Sequence, residues 1–173
     1  MASIITNRFL LTLSLMSIML VSTLAGCSKP AVIDGVLPVE ISGKTFALEI
    51  VADNDTRNLG LGGRKELDAD KGMVFSFIDS KIRNFVMRDC YIDIDIIFLD
   101  SAGRITAMHH MPIEDPRTKD ETQYQYETRL QRYSSRFNAQ YAIELVGGML
   151  ENLDLENGQQ IKFDIEYLQS ISR

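Results

Sequence analysis

The chain has 173 residues, of which 45% are hydrophobic and 24% are charged, and these are ordinary values for one globular domain. Acidic side chains outnumber basic ones by 24 to 18, which gives a formal net charge of −6. An acidic chain without a basic cluster does not attract a phosphate backbone. The composition therefore argues against a nucleic-acid partner.

Residues 1–26 have the pattern of a secretory signal, because Arg8 is followed by a long apolar run at 9–24. The run ends in Leu24-Ala25-Gly26-Cys27, which resembles the bacterial lipobox. In a lipobox the cysteine receives a diacylglycerol group and becomes the acylated first residue. The alternative is an uncleaved anchor or a buried helix, but the run is shorter than the ~20 residues that a spanning helix needs.

We therefore expect Cys27 to be lipidated, so that acyl chains hold the protein on a membrane without a transmembrane segment. Ser28 follows the cysteine where an aspartate would favour the inner membrane, which indicates the periplasmic face of the outer membrane. Removal of residues 1–26 takes away one basic side chain, so 17 basic and 24 acidic side chains remain, and 17 − 24 gives −7. Membrane attachment must then come from the lipid.

The remaining chain predicts a tether over residues 27–38 and one domain over 39–170, with a helical insert at about 112–138. Alternating apolar and polar residues predict strands at 39–41, 45–51, 73–78, 83–87, 91–99, 104–111, 140–146 and 160–168. Short helices are predicted at 57–61, inside the insert, and at 149–153. This pattern is typical of a mainly β fold, a compact antiparallel sandwich or small barrel with two or three short helices.

The strand at 91–99 is the centre of this prediction, because its even positions are apolar and its last residues are apolar on both faces. Asp93 and Asp95 stand on one face of the strand, roughly 7 Å apart at ~3.3 Å per residue. A carboxylate so close to the interior needs a partner, since a buried charge without one is costly. We expect Arg57 or Arg64 to supply the partner of Asp95.

Three motifs carry a resemblance to a known family. Phe85-Val86-Met87-Arg88-Asp89-Cys90 and the residues to Asp100 resemble the Phe-Trp-Met-Lys-Asn-Thr-x-Ile-Pro-Leu-Asp-Ile-x-Phe-x-Asp signature of DUF192 (UPF0127), a family of small uncharacterised proteins. Residues 57–64 resemble its Arg-x-x-Gly-Leu-Met-x-Arg motif, and 72–77 its Gly-Met-Leu-Phe-x-Phe motif. Val86 replaces a tryptophan, Gly62 a methionine and Asp93 a proline. The resemblance implies a β fold and no settled activity, with a candidate structural or ligand site at Arg57, Arg64, Met87, Arg88 and Asp95.

Two functional hypotheses remain open. The first is a non-catalytic binding or scaffold module of the cell envelope, whose partner is an envelope protein or a glycan. Tyr124, Tyr126, Tyr133 and Phe137 of the insert could line its groove, or they could simply pack. The second is a hydrolase or metal-dependent enzyme that uses Asp93 and Asp95 with His109.

The sequence offers little for cofactor or metal chemistry. His109 and His110 are adjacent on a strand and point to opposite faces, so they cannot share one metal. We expect neither a metal nor a cofactor. Cys90 is the second cysteine of the chain, and its apolar neighbours indicate an inert buried thiol.

Overall fold

The computed structural model describes residues 32–173. The predicted signal, the predicted lipidation site Cys27 and the first part of the predicted tether, residues 27–31, lie outside the described residues. In the described part, six strands form one mixed sheet in the order β1-β2-β3-β8-β5-β6. The strands are β1 (Val36–Ile41), β2 (Lys44–Val51), β3 (Lys71–Lys81), β5 (Ile94–Leu99), β6 (Ile105–Met111) and β8 (Ala139–Val146). Strands β4 (Asn84–Phe85) and β7 (Tyr133–Ser134) form a second, two-stranded sheet.

The mainly β fold is confirmed, and the described strands do not close into a barrel. The sheet is mixed, because β2 and β3 run parallel while every other neighbouring pair is antiparallel. A parallel pair needs a crossover connection, and residues 52–70 supply it. This crossover carries α1 (Asn54–Leu59), whose first turn is capped by the side chain of Asp53 accepting from the Thr56 amide at 3.0 Å.

The other helices are short as well. Helix α2 (Gln123–Arg129) lies in the insert and begins with a capping box between Thr122 and Gln125. A 3₁₀ turn follows β8 at Leu150–Asn152, as predicted. The predicted strand at 160–168 is wrong, because the chain instead forms α3 (Ile165–Ile171), capped by the side chain of Asp164. Strand β1 also begins earlier than predicted, at Val36 and inside the predicted tether.

Both faces of the sheet are buried, and β8 shows how they differ. Its odd-numbered Ile143 and Leu145 belong to the first core cluster, which we call the packed face. Leu168 of α3 closes that cluster from outside the sheet. Ala142 belongs to the second cluster, which we call the cavity face and which includes Phe75, Met87, Cys90, Ile94, Ile96 and Phe98.

Candidate functional site

A cavity of about 530 Å³ opens on the cavity face. Its walls come from three segments: α1 with the glycine turn after it, the end of β3 with the turn into β4, and β4 with the residues that follow. The lining includes Arg57, Gly60, Leu61, Gly62, Phe75, Phe77, Arg83, Phe85, Val86, Arg88, Cys90 and Glu144. The three motifs that carry the family resemblance thus meet at one cavity. Val86 and Gly62, two of the positions with a smaller residue than the family pattern, both lie on its wall.

Glu144 is the unusual residue of this cavity. It lies on β8, the strand between β3 and β5, directly opposite Met73 on one side and Ile96 on the other. It is 5% exposed, and its Oε2 atom has no hydrogen-bond partner among the described residues. Burial raises the pKa of Glu144 to about 8, while the charge of Arg64 opposes the rise. The carboxyl group is therefore largely neutral at pH 7.

Sequence reasoning missed Glu144, although a signal was present. Residues 141–146 read Tyr-Ala-Ile-Glu-Leu-Val, so one acid interrupts an otherwise apolar strand. A strand whose remaining positions are all apolar is buried on both faces, so an acid inside it must be buried too. Such acids have perturbed pKa values and cluster at functional sites.

Cationic side chains surround the cavity, and two of them share an aromatic ring. The guanidinium of Arg83 lies 3.9 Å from the centre of the Phe77 ring, and that of Arg57 lies 5.1 Å from it. Arg57 donates to the carbonyl of Ser76 at 2.6 Å, and burial lowers its pKa. Arg83 is paired with Asp79.

Arg88 holds the insert against the cavity. It donates two hydrogen bonds to the carboxylate of Glu127 on α2, at 2.5 and 2.7 Å, and this contact raises the pKa of Arg88. A two-pronged contact of this kind fixes the geometry of both partners. Arg88 therefore links α2 to the cavity wall.

Cys90 also lines the cavity but is not a nucleophile in this setting. It is free, 9% exposed, and its Sγ lies 3.4 Å from the carbonyl oxygen of Arg88. Burial is the main cause that raises its pKa to about 12, and Asp89, with Glu144 once it is ionised above about pH 8, adds to the rise. A thiol with this pKa is protonated at neutral pH, so the prediction of an inert buried cysteine agrees with the structure.

The structure brings together only part of the predicted site. Arg57 and Arg88 line the cavity, whereas Arg64, Met87 and Asp95 do not. Arg64 forms a two-pronged ion pair with Glu49 at 2.6 Å, and Met87 is buried in the core. Neither Arg57 nor Arg64 contacts Asp95, so the predicted arginine partner of Asp95 is wrong.

Asp95 instead bonds to a histidine and to the backbone. Its side chain is 1% exposed and lies 2.7 Å from Nδ1 of His110. Its other oxygen accepts from the Leu150 amide at 2.6 Å, which fixes the 3₁₀ turn against the sheet. Asp95 raises the pKa of His110. The group is a structural brace on the packed face.

A bulge in the β5–β6 hairpin explains why the partner is His110 and not His109. The pairing of Leu99 with Ile105 would continue to place His109 opposite Asp95, but the register shifts between Phe98 and Leu99. One extra residue in β6 therefore moves every later side chain to the other face. This shift has no clear signature in the sequence.

The predicted constellation of Asp93, Asp95 and His109 does not assemble. His109 lies on the cavity face, packs against the rings of Phe98 and Tyr133, and its Nε2 is 2.8 Å from the Ser134 carbonyl. Asp93 precedes β5, is exposed, and accepts from the Ile113 amide at 2.8 Å. Within residues 32–173, no group of three or more metal-ligating side chains is close enough to hold a metal ion.

The aromatic residues of the insert do not form a common groove. Tyr126 is 2% exposed and its hydroxyl accepts from the Asp89 amide at 2.9 Å. Tyr133 packs against His109, whereas Tyr124 is 79% exposed. Phe137 is 68% exposed as well, so two of the four rings, Tyr126 and Tyr133, pack α2 and β7 onto the domain and the other two lie in solvent.

The fold and the cavity together define the class of protein: a mixed β-sheet domain with a pocket on one face and a buried glutamate, Glu144, in the wall of that pocket. The family model for DUF192, described as an uncharacterised ACR, matches residues 37–163. The chain belongs to this family. A comparison with curated proteins finds no significant match. In the part of the chain that the structure describes, no helix has the length and apolar character needed to cross a bilayer.

Two solved structures share the fold. One is a protein from Sinorhizobium meliloti that has been proposed as a transcription regulator; it is 25% identical, with a TM-score of 0.57, and the match covers 73% of this chain and 90% of that one. The other is a protein of unknown function from Novosphingobium aromaticivorans; it is 22% identical, with a TM-score of 0.62 over 79% and 94% of the two chains.

Proposed function

We propose that this protein is a lipid-anchored binding module of the cell envelope, which takes a small organic ligand into the cavity above Glu144. The lipobox-like Cys27 supports the anchor, and the cavity supports the binding role. Its volume of about 530 Å³ lies within the ~300–1,000 Å³ of small-molecule sites. The proposed role is a non-catalytic one; in its support, Asp95 and His109 lie on opposite faces of the sheet, and Asp93 precedes β5.

The observation that carries the proposal is the buried Oε2 atom of Glu144. Buried polar atoms are nearly always hydrogen-bonded, because an unpaired one costs free energy. A domain that keeps an unpaired acid on a cavity wall gives up stability at that point. A ligand that completes the hydrogen bonding of the acid recovers this loss, which is a reason for the acid to be there.

The binding test uses the full chain in detergent and a cavity-filling variant. Val86 is half-buried on the cavity wall, so Val86→Trp places a large ring in the open volume. We expect some members of a small-molecule panel to raise the melting temperature of the wild type but not that of Val86→Trp. Val39→Ile, on the packed face, is the matched control. The proposal is contradicted if no compound of the panel raises the melting temperature of the wild type, or if each compound raises it equally in the wild type and in Val86→Trp.

The anchor has a separate test. We expect the wild type to sediment with outer-membrane fractions and to incorporate a labelled fatty acid, because Cys27 is acylated. Cys27→Ala is expected to lose the label. Label on the alanine variant, or an unlabelled wild type, contradicts the lipid anchor without touching the binding role.

A further inference from the structure

The charge around the cavity bears on the kind of ligand it takes. The lining contains four cationic side chains, Arg57, Lys81, Arg83 and Arg88, against two acids, Asp79 and Glu144. Asp79 pairs with both Lys81 and Arg83, and Glu127, outside the lining, pairs with Arg88, so an excess of two positive charges remains when Glu144 is neutral. This excess occurs in a chain whose net charge is −6. A concave wall of one sign raises the local concentration of ligands of the opposite sign. The cavity therefore favours an anion over a cation.

Glu144 repels an anion only if it is ionised. Arg64 is the cation whose charge lowers the pKa of Glu144. Its guanidinium is already bound by both carboxylate oxygens of Glu49. Arg88 is bound in the same way by Glu127. With the neighbouring arginines engaged and apolar residues opposite it on β3 and β5, Glu144 is stable as the neutral acid. A neutral carboxyl group has a hydroxyl that donates a hydrogen bond.

The mouth of the cavity adds an apolar requirement. Leu59, Ile78 and Ile82 all line it and are 68%, 72% and 55% exposed. Further in, the rings of Phe75 and Phe85 meet edge to face with their centres 5.0 Å apart. An apolar ligand body would cover these groups, and burial of apolar surface contributes about 25 cal/mol per Å².

The approach to the acid is narrow. Gly60 passes close above it, since a Cβ atom at this position would lie 3.3 Å from the Phe75 ring and 3.7 Å from Oε2 of Glu144. Its φ of +51° is also one that side chains other than glycine rarely adopt. A ligand group that reaches Oε2 of Glu144 beside Gly60 must therefore be small.

From this geometry we infer that the cavity binds a small organic monocarboxylate with an apolar body, and that Glu144 donates a hydrogen bond to its carboxylate. The inference rests on the proposed binding function and names its ligand class. The arginines at the wall supply the favourable potential, while the aromatic and aliphatic side chains hold the body. No bond is made or broken, and the proton stays shared between the two carboxyl groups.

The test compares matched probes of different charge on the full chain in detergent: phenylacetate, phenylacetamide and phenethylamine. At pH 6 we expect phenylacetate to bind at least 10-fold more tightly than phenethylamine, measured by titration calorimetry. Between pH 6 and pH 9 its affinity should fall at least 10-fold, because Glu144 loses the proton it donates.

Two variants separate a neutral acid from an ionised one. Glu144→Gln keeps a neutral donor of the same size, so we expect it to bind phenylacetate within about 3-fold of the wild type at pH 6, and without the pH dependence. Glu144→Leu removes the donor and is expected to lose at least 10-fold. Because both are neutral replacements of a buried acid, both should fold, which circular dichroism checks.

Other groups that titrate or carry charge near Glu144 do not produce this profile. Cys90 stays protonated, since its pKa is raised to about 12. The charged groups on the surrounding elements include Glu49, Arg57, Arg64, Asp79, Lys81, Arg83, Arg88, Asp89, Glu114 and Glu127. His110 titrates with a raised pKa but lies on the packed face against Asp95, so His110→Gln is the control and should keep the pH dependence.

Three outcomes overturn the inference. Tighter binding of phenethylamine, blocked by Val86→Trp, would mean that the cavity binds ligands but that Glu144 acts as a carboxylate. Tighter binding of phenylacetate by Glu144→Gln than by the wild type at pH 6 would have the same meaning, because the amide would remove the repulsion of an ionised acid. Absence of binding for all three probes, with no effect of Val86→Trp on any panel compound, would overturn the binding function itself.

Discussion

The two faces of the sheet share every backbone hydrogen bond but differ in what their side chains do. On β8, Ile143 and Leu145 fill the packed face, whereas Ala142 and Glu144 face the cavity side. The backbone pairing is the same on both sides, so the difference lies in side chains alone. The packed face contributes packing energy. The cavity face contributes less, because it keeps an open volume with an acid on its wall.

The largest effect should come from the packed face. Leu145→Ala removes a fully buried side chain from a filled cluster, so we expect a loss of about 2–5 kcal/mol in the free energy of unfolding. Urea denaturation measures it. Ile82→Ala at the cavity mouth, where the side chain is 55% exposed, is the comparison and should cost far less. Equal losses would mean that the faces do not differ as described.

The second effect is a pH dependence that belongs to the cavity face. The pKa of Glu144 is raised by burial from 4.5 to about 8, so the folded protein holds a proton that the unfolded chain releases in this range. The stabilising contribution of that proton is complete below about pH 4.5. It falls by about 1.4 kcal/mol for each pH unit up to about pH 8.

Urea denaturation at several pH values from 5 to 8 measures this slope, and Glu144→Gln should flatten it. The pKa of His110 is also raised, by Asp95, and its contribution is likewise lost as pH rises through the folded pKa. The quantity to compare is therefore the difference between the variant and the wild type at each pH. A constant difference would contradict the raised pKa of Glu144.

A smaller effect is expected at the brace formed by Asp95. Asp95→Asn keeps the size of the side chain but leaves one oxygen to replace two, so either His110 or the Leu150 amide loses its acceptor. We expect a cost of about 1–3 kcal/mol. The pKa of His110, followed by NMR, should also fall towards 6.5, and an unchanged value would show that Asp95 does not cause the rise.

The smallest effect should come from the ion pair between Arg64 and Glu49. Their side chains are 33% and 43% exposed, and exposed pairs contribute about 0.2–1 kcal/mol. Glu49→Gln is therefore expected to change the free energy of unfolding by less than about 1 kcal/mol. Asp68→Asn, which breaks the more exposed pair with Lys71, is the control. A loss like that of Leu145→Ala would mean that this pair is part of the core.

The six strands of the main sheet could be predicted from the sequence because a sheet buried on both faces leaves clear apolar runs, although β5 begins at Ile94 and not at residue 91. The short strand β7 was not predicted. Residues 160–168 could not be predicted, since Ile161, Phe163 and Ile165 alternate like a strand while Ile165 and Leu168 have helical spacing. The capping side chain of Asp164 favours the helix. Both readings fit the pattern, and packing against the sheet decides between them.

The candidate site was predicted only in part, for two physical reasons. Arg57 and Arg88 were found through motifs, which bring distant segments to one place. Glu144 was missed because the apolar run at 140–146 predicts a buried strand whether or not it contains a single acid. The partner of Asp95 depends on a bulge, and a shift of one residue in register cannot be read from residue types.

The strand order has a consequence for how the molecule is made. Strand β8 follows all the other strands of the sheet in the chain, yet it lies between β3 and β5 at the centre. The two halves of the sheet, β1-β2-β3 and β5-β6, therefore have no shared partner until residue 146 has been synthesised. Such late, long-range pairing is slow. For the exported, lipid-anchored protein proposed above, this delay would favour passage across a membrane, because the sheet closes late.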